Sequence, residues 1–150
     1  MWSLDPYGAI QVPCKLFVQF LALNPSTATE TVDDPTVRRC IGFAKLWGFS
    51  TMCMTNVFAF RATDPRVMKA EDNPVGLENN DWICRVAMEA AMVVCCWGNH
   101  GEYMERSKEV LNRFRKLNIR KLHHLGLTEQ GEPRHPLYLS KTTMPTPWEL

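Results

Sequence analysis

The chain is 150 residues long and 45% hydrophobic, with seventeen Lys plus Arg against sixteen Asp plus Glu for a net charge of +1. That length suits one domain with its own core, since a chain of about this size buries roughly 68–70% of its unfolded surface. The near-zero charge excludes a general duplex coater, whose affinity comes from many neutralised phosphates, and the composition excludes disordered and collagen-like chains.

The longest apolar runs, Leu16 to Leu23 and Ala90 to Trp97, have the length of buried strands rather than membrane spans. The first stops at Asn24-Pro25, where a residue without an N–H ends the ladder. Next comes a polar loop, Ser26 to Asp33. Asp34-Pro35 predicts a helix start, because the carboxylate accepts first-turn amides and proline is tolerated at the first helical position. Val37, Cys40, Ile41, Ala44 and Trp47 then recur at helical spacing, and Gly48 ends the helix. Thr51 to Phe58 predicts a second strand and Arg61 to Gly76 a loop. A helix is expected over about Asn80 to Ala91, with Trp82, Ile83, Val86, Ala87 and Ala90 inward. Met92 to Trp97 is the third strand. Glu102 to Leu117 reads as an amphipathic helix with Met104, Val110, Leu111, Phe114 and Leu117 inward, and with Arg106, Lys108, Arg113, Arg115 and Lys116 on a mixed, solvated face. Leu122 to Leu125 is a short fourth strand, and Gly126 to Leu150 a loop rich in Gly and Pro. Strands alternating with helices predict an α/β fold, three-layer αβα around a four-stranded parallel sheet.

The six cysteines, Cys14, Cys40, Cys53, Cys84, Cys95 and Cys96, form no C-x-x-C pair and no zinc-type cluster with histidine. They read as small buried hydrophobes, and no metal or other cofactor is expected. The opening MWSLDPYGAI has no export-signal pattern, so a cytoplasmic location with free thiols is expected.

Parallel sheets bind ligands at the carboxyl ends of their strands. Each predicted strand here runs on into polar residues: Asn24-Pro25-Ser26-Thr27; Asn56 and then Arg61; Trp97-Gly-Asn99-His100; and Arg134-His135-Pro136. An asparagine held by an adjoining proline can fix a water through its carbonyl oxygen. A second asparagine offers the donor and acceptor that match a base edge, and a histidine can donate to an oxyanion on a departing base. Together these suit cleavage of an N-glycosidic bond. Asp33 and Asp34 lie nearby, but no carboxylate pair of the glycoside-hydrolase kind is evident, and no Gly-rich phosphate loop occurs. Blander roles stand beside these: a turn for Asn24, a structural amide for Asn56, a helix cap for His100, and one sheet face each for His123 and His124. Arg38, Arg39 and Lys141 are phosphate-contact candidates, although a solvated helix face equally accounts for the first two.

The segments LNPSTAT, DDPTVRRCIGFAKLWGF, TNVFAFRATDP, WGNHG and GLTEQGEPRHPLYL resemble an uncharacterised bacterial and phage family, a domain of unknown function, over about Leu21 to Trp148. More distantly, the order LNPS, an Asn-bearing strand, a strand ending in WG-x-H, and HP-x-x-L is similar to the uracil-DNA glycosylase superfamily. That resemblance implies the superfamily's sheet, a water-positioning role for Asn24, base reading by Asn56 and leaving-group stabilisation by His135. Ser26 stands where the superfamily has glycine, and Leu137 where it has a phosphate-holding serine. Tyr138 is placed to stack on a base. Pro25, Ser26, Thr27, Arg61, Trp97, Asn99, His100, Arg134, Leu137 and Tyr138 complete the expected substrate-binding set. The partner expected is nucleic acid or a nucleotide, one base entering a pocket, with no membrane. Two other readings keep the pocket: a non-catalytic nucleotide or modified-base sensor, and a hydrolase of free nucleosides or nucleotides.

Overall fold

The computed structural model describes residues 2–3, 16–27 and 34–149. Cys14 and Asp33, with most of the loop predicted after the first strand, lie outside the described residues. The strands are β1 (Trp2–Ser3), β2 (Phe17–Ala22), β3 (Thr51–Asn56), β4 (Met92–Cys95), β5 (Leu122–His124) and β6 (Thr146–Pro147). The helices are α1 (Pro35–Leu46), α2 (Pro65–Lys69), α3 (Asn79–Glu89) and α4 (Arg106–Lys116). Strands β2 to β6 form a mostly parallel mixed sheet, to which the two-residue β1 adds at one edge, in the order β1-β3-β2-β4-β5-β6. The inner four are parallel, as expected, while β1 and β6 pair antiparallel at the rims. Two-residue strands carry no readable period, and the proline in β6 is tolerated because an edge strand can spare a donor.

Successive residues of β2 face two separate cores. Val18, Phe20 and Ala22 pack with Cys40, Phe43 and Ala44 of α1 and with Met52, Val94 and Cys96. Phe17 and Leu21 pack on the other side with Met68 of α2, Ile83, Val86 and Ala87 of α3, and Val110 and Phe114 of α4. Helices thus cover both faces, which is why β2 and β4 are apolar apart from Gln19 rather than alternating. Gln19 is fully buried among them, donating to Thr55 Oγ1 at 2.8 Å and to the Ile83 carbonyl at 3.3 Å.

Helix α1 begins as its sequence predicts. Asp34 Oδ1 accepts from the amides of Thr36 at 2.8 Å and Val37 at 3.2 Å, with Pro35 next in the chain. It ends in a Schellman pair, Gly48 N–H to Lys45 O at 3.1 Å and Phe49 N–H to Ala44 O at 2.9 Å, with Gly48 at φ +85°. Asp64-Pro65 repeats the same start inside the predicted loop and opens the short α2, with Asp64 Oδ1 accepting the Arg66 amide at 2.8 Å.

The expected helix from Glu102 is corrected. Residues Asn99–Glu105 form 3-10 turns with a kink, Met104 and Glu105 at φ 55° and 53°, and α4 starts at Arg106. The register shift leaves Met104 55% exposed and buries Arg106 completely. Arg106 is no surface residue: Nε donates to the Val57 carbonyl at 2.6 Å, Nη1 to Glu109 Oε2 at 2.7 Å and Nη2 to Asn80 Oδ1 at 2.5 Å. A buried guanidinium requires this full set of acceptors. Trp82 and Leu117, also expected inward, are exposed. They stand at helix ends, in the first turn of α3 and one residue past α4, where the inward stripe runs out.

The described cysteines Cys40, Cys53, Cys84, Cys95 and Cys96 are free and buried. Burial raises the thiols of Cys95 and Cys96 far above their ordinary value, which makes them inert packing residues. Among the described residues no helix is long and apolar enough to cross a membrane.

Candidate functional site

Strands β2 and β4 are neighbours, but the chain leaves β2 for β3 on one side and β4 for β5 on the other. The loops after them run to opposite faces, α1 on one and α4 on the other, which makes the carboxyl edge between them the place where sheets of this order bind ligands.

Asn24 lies at that edge, two residues beyond β2. Its Nδ2 donates to the Ala62 carbonyl at 2.7 Å, the Pro25 carbonyl at 3.2 Å and the Phe60 carbonyl at 3.4 Å. The Ala62 amide donates back to Pro25 O at 3.0 Å, and Thr27 Oγ1 meets Thr63 Oγ1 at 2.9 Å. The loops after β2 and β3 are thereby stitched together. With its nitrogen committed, the half-buried Asn24 side chain keeps its carbonyl oxygen as the group open to a ligand among the described residues. Asn56 ends β3 in register with Ala22, on the face that carries Met52 and Met54. Asn79 Nδ2 donates to its backbone carbonyl at 2.9 Å, while its half-buried side-chain amide makes no hydrogen bond among the described residues.

His135 precedes the turn Pro136–Tyr138, and its Nδ1 accepts the Leu137 amide at 3.3 Å. That bond selects the tautomer with the proton on Nε2. Burial pulls the imidazole below its ordinary value, partly opposed by the Asp34 carboxylate, so it is neutral at pH 7. Gly98 brings the loop after β4 against this segment. Its amide donates to Pro133 O at 2.8 Å, and a Cβ added there would sit 3.9 Å from His135 Cβ.

Asp34 connects these parts, a role that its reading as a helix cap alone missed. Oδ2 accepts from Ser26 Oγ at 2.6 Å, Oδ1 from the α1 amides, and the carboxylate interacts electrostatically with His135. Burial alone would raise its carboxyl. The Ser26 hydroxyl, the Val37 and Thr36 amides and His135 more than offset that and hold it below the ordinary value. Ser26, Asp34 and His135 are spaced along the chain in a way that matches no helix or strand period.

The other expected residues divide. Arg39 Nη2 donates to the Leu137 carbonyl at 3.1 Å, tying α1 to the histidine turn. Tyr138, at the end of that turn, is 89% exposed. Arg38, Arg61, Asn99 and Lys141 are exposed, and the exposed Arg134 donates through Nε to Leu127 O at 3.1 Å. His100 is exposed beside Asp64 and Lys69, near the loop that holds Asn24. Trp97 belongs to the opposite core: it is 1% exposed and its indole donates to Glu132 Oε2 at 2.5 Å. His123 Nδ1 contacts Lys121 O at 3.1 Å, whereas His124, whose Nδ1 accepts the Gly126 amide at 2.9 Å, packs edge-on against Trp148 with centroids 6.0 Å apart. Among the described residues no group of three His, Cys, Asp or Glu side chains is placed to hold a metal.

The Asn24 carbonyl oxygen, the Asn56 side-chain amide and His135 Nε2 are groups at this edge that make no hydrogen bond among the described residues. A family model described as protein of unknown function, DUF1643, matches residues 11–137. No curated protein and no solved structure matches the chain.

Proposed function

We propose that this chain, which belongs to the DUF1643 family, hydrolyses an N-glycosidic bond to a base in nucleic acid. Asn24 orients the attacking water through Oδ1, Asn56 reads the base edge with its amide, and His135 donates from Nε2 to the departing base. These roles come from the resemblance to the uracil-DNA glycosylase superfamily. The observation that carries the reading is the pairing of the Asn24 amide nitrogen with three backbone carbonyls, together with a neutral His135 whose Nδ1 is already occupied. Each side chain is held by protein groups through one end and presents the other, the preorganisation that catalysis by oriented dipoles needs.

Incubation with single- and double-stranded oligonucleotides carrying uracil, mismatched thymine, hypoxanthine or hydroxymethyluracil, and then alkali, should give strand breaks. His135→Ala should lower single-turnover base release by about 10²–10³. Absence of breaks across the whole panel would sink the polymer version.

A second reading has its own support. Ser26 gives its hydroxyl to Asp34, and the Leu137 amide and carbonyl are taken by His135 and Arg39. Neither residue is then disposed to grip a DNA phosphate, which suits a module that holds a nucleotide or modified base without turnover. Base release from free nucleotides but not polymers would instead identify a monomer hydrolase, and bound ligand recovered intact would identify the sensor.

A further inference from the structure

At the amino edge of the sheet, opposite the site above, a cleft of about 320 Å³ is lined by Arg115, Ile119, Arg120, Leu122, Trp148 and Glu149. One helix end builds it. Leu117 closes α4 and Asn118 enters the left-handed region at φ 57°, with Asn118 N–H to Arg115 O at 3.0 Å and Ile119 N–H to Phe114 O at 2.9 Å. This Schellman turn folds the chain back so that Arg120 comes to the same cleft as Arg115. The floor is apolar, Ile119 and Leu122 being 6% and 2% exposed. Trp148 is a rigid wall: its amide donates to Leu122 O at 2.8 Å, and its ring packs against Trp97 and His124, both at 6.0 Å.

The charges at this cleft are not neutralised internally. Arg115 Nη1 donates to Asn112 Oδ1 and Arg120 Nε to Asn118 Oδ1, each at 2.8 Å, and among the described residues neither arginine pairs with a carboxylate. Neutral amides orient a guanidinium without cancelling its charge, which leaves both forks disposed toward an outside anion. Trp148 adds an aromatic face, on which a planar ring stacks. Glu149 on the rim adds an acceptor for the ring's amino group or a sugar diol, and keeps the anion on the arginine side.

We propose that this cleft is a second binding site and that it takes a nucleoside monophosphate: the ring against Trp148, the phosphate between Arg115 and Arg120. The cleft is at the low end of the range of small-ligand sites, about 300 Å³, which fits one nucleotide and no more. The site is independent of any chemistry at the carboxyl edge.

Titration with adenosine monophosphate, monitored by tryptophan fluorescence and amide chemical shifts, tests it. Adenosine and inorganic phosphate, each alone, serve as half-ligands. Saturable binding should shift the amides around Ile119 to Leu122 and Trp148, with each half-ligand at least about tenfold weaker. Arg115→Ala with Arg120→Ala should reduce the affinity for the monophosphate to that for adenosine. Both residues are exposed, so the fold is retained, and Trp148→Phe should remove the fluorescence response while preserving the shifts. No saturation by about 10 mM, equal affinity in the arginine variant, or shifts confined to Asn24, Asn56 and His135 would each overturn the proposal.

Discussion

Asp34 shows how much one side chain carries when three elements meet on it. Its carboxylate opens α1, accepts from Ser26 and bears on His135. Asp34→Asn keeps the helix cap, since the two residues cap about equally well, but removes the charge. The His135 midpoint, depressed by burial and opposed by Asp34, should therefore fall further in this variant, as read from imidazole proton shifts against pH. An unchanged or raised midpoint would refute the contact. A histidine whose folded value lies below its ordinary 6.5 contributes its full stability above that pH, and the contribution is lost as pH falls through the folded value. Asp34, also lowered, loses its own contribution only further down, below the carboxylate's ordinary 3.8. Protonated His135 can no longer accept from the Leu137 amide, so acid should loosen the turn before it removes the cap.

Among the elements, the segment between β4 and α4 departs furthest from its sequence pattern. Helical periodicity runs on through Glu102 to Glu105, yet the chain makes 3-10 turns there and twice enters the left-handed region. The cause is Trp97. Its buried indole packs over Gly101, where an added Cβ would lie 2.0 Å from Cδ1, and the Glu132 bond prevents the ring from moving aside. Only a residue without a side chain fits beneath it. Gly101→Ala should cost about 1–3 kcal/mol as an overpacked core does. Thermal unfolding should show a melting temperature lower by several degrees, and an unchanged value would mean that the indole has room to shift. Gly98 and Gly101 together thus set where the loop after β4 runs, and with it the approach of that loop to His135.

At the scale of the whole molecule, the near-neutral charge now has a location. Arg38, Arg61, Arg134 and Lys141 are exposed cations from the segments that build the carboxyl edge, whereas Arg39 is engaged with Leu137, Arg66 is paired with Asp64 and Arg106 is buried. Single-stranded polymer binding should accordingly be weak and modestly salt-dependent. Four cations at about 0.7 each cap the slope of log affinity against log salt near −3. A steeper slope, or a complex that survives molar salt, would require a phosphate-binding surface that these residues do not form. The doubly wound order places this edge at the reversal of the strand sequence, so the candidate site was located by topology rather than by any one motif.

Sequence by itself determined what local rules govern. The central strands β2 and β4 are largely apolar runs because both faces are covered, and α1 begins at Asp-Pro and ends at glycine because caps are chosen by adjacent residues. Asn24 and Asn56 were legible as residues at or just past a strand end, whereas His135 lies well beyond β5, before the turn Pro136–Tyr138. Tertiary structure decided what depends on distant partners. Arg106 reads as a surface charge until a kink rotates it inward onto the Val57 carbonyl, and Trp97 reads as a site aromatic until Glu132 claims it from the opposite face. Asp34 reads as a cap until the chain's far end brings His135 alongside it. Periodicity encodes neighbours one turn or one pleat apart; contacts between distant parts of the chain are fixed only when the sheet orders its strands.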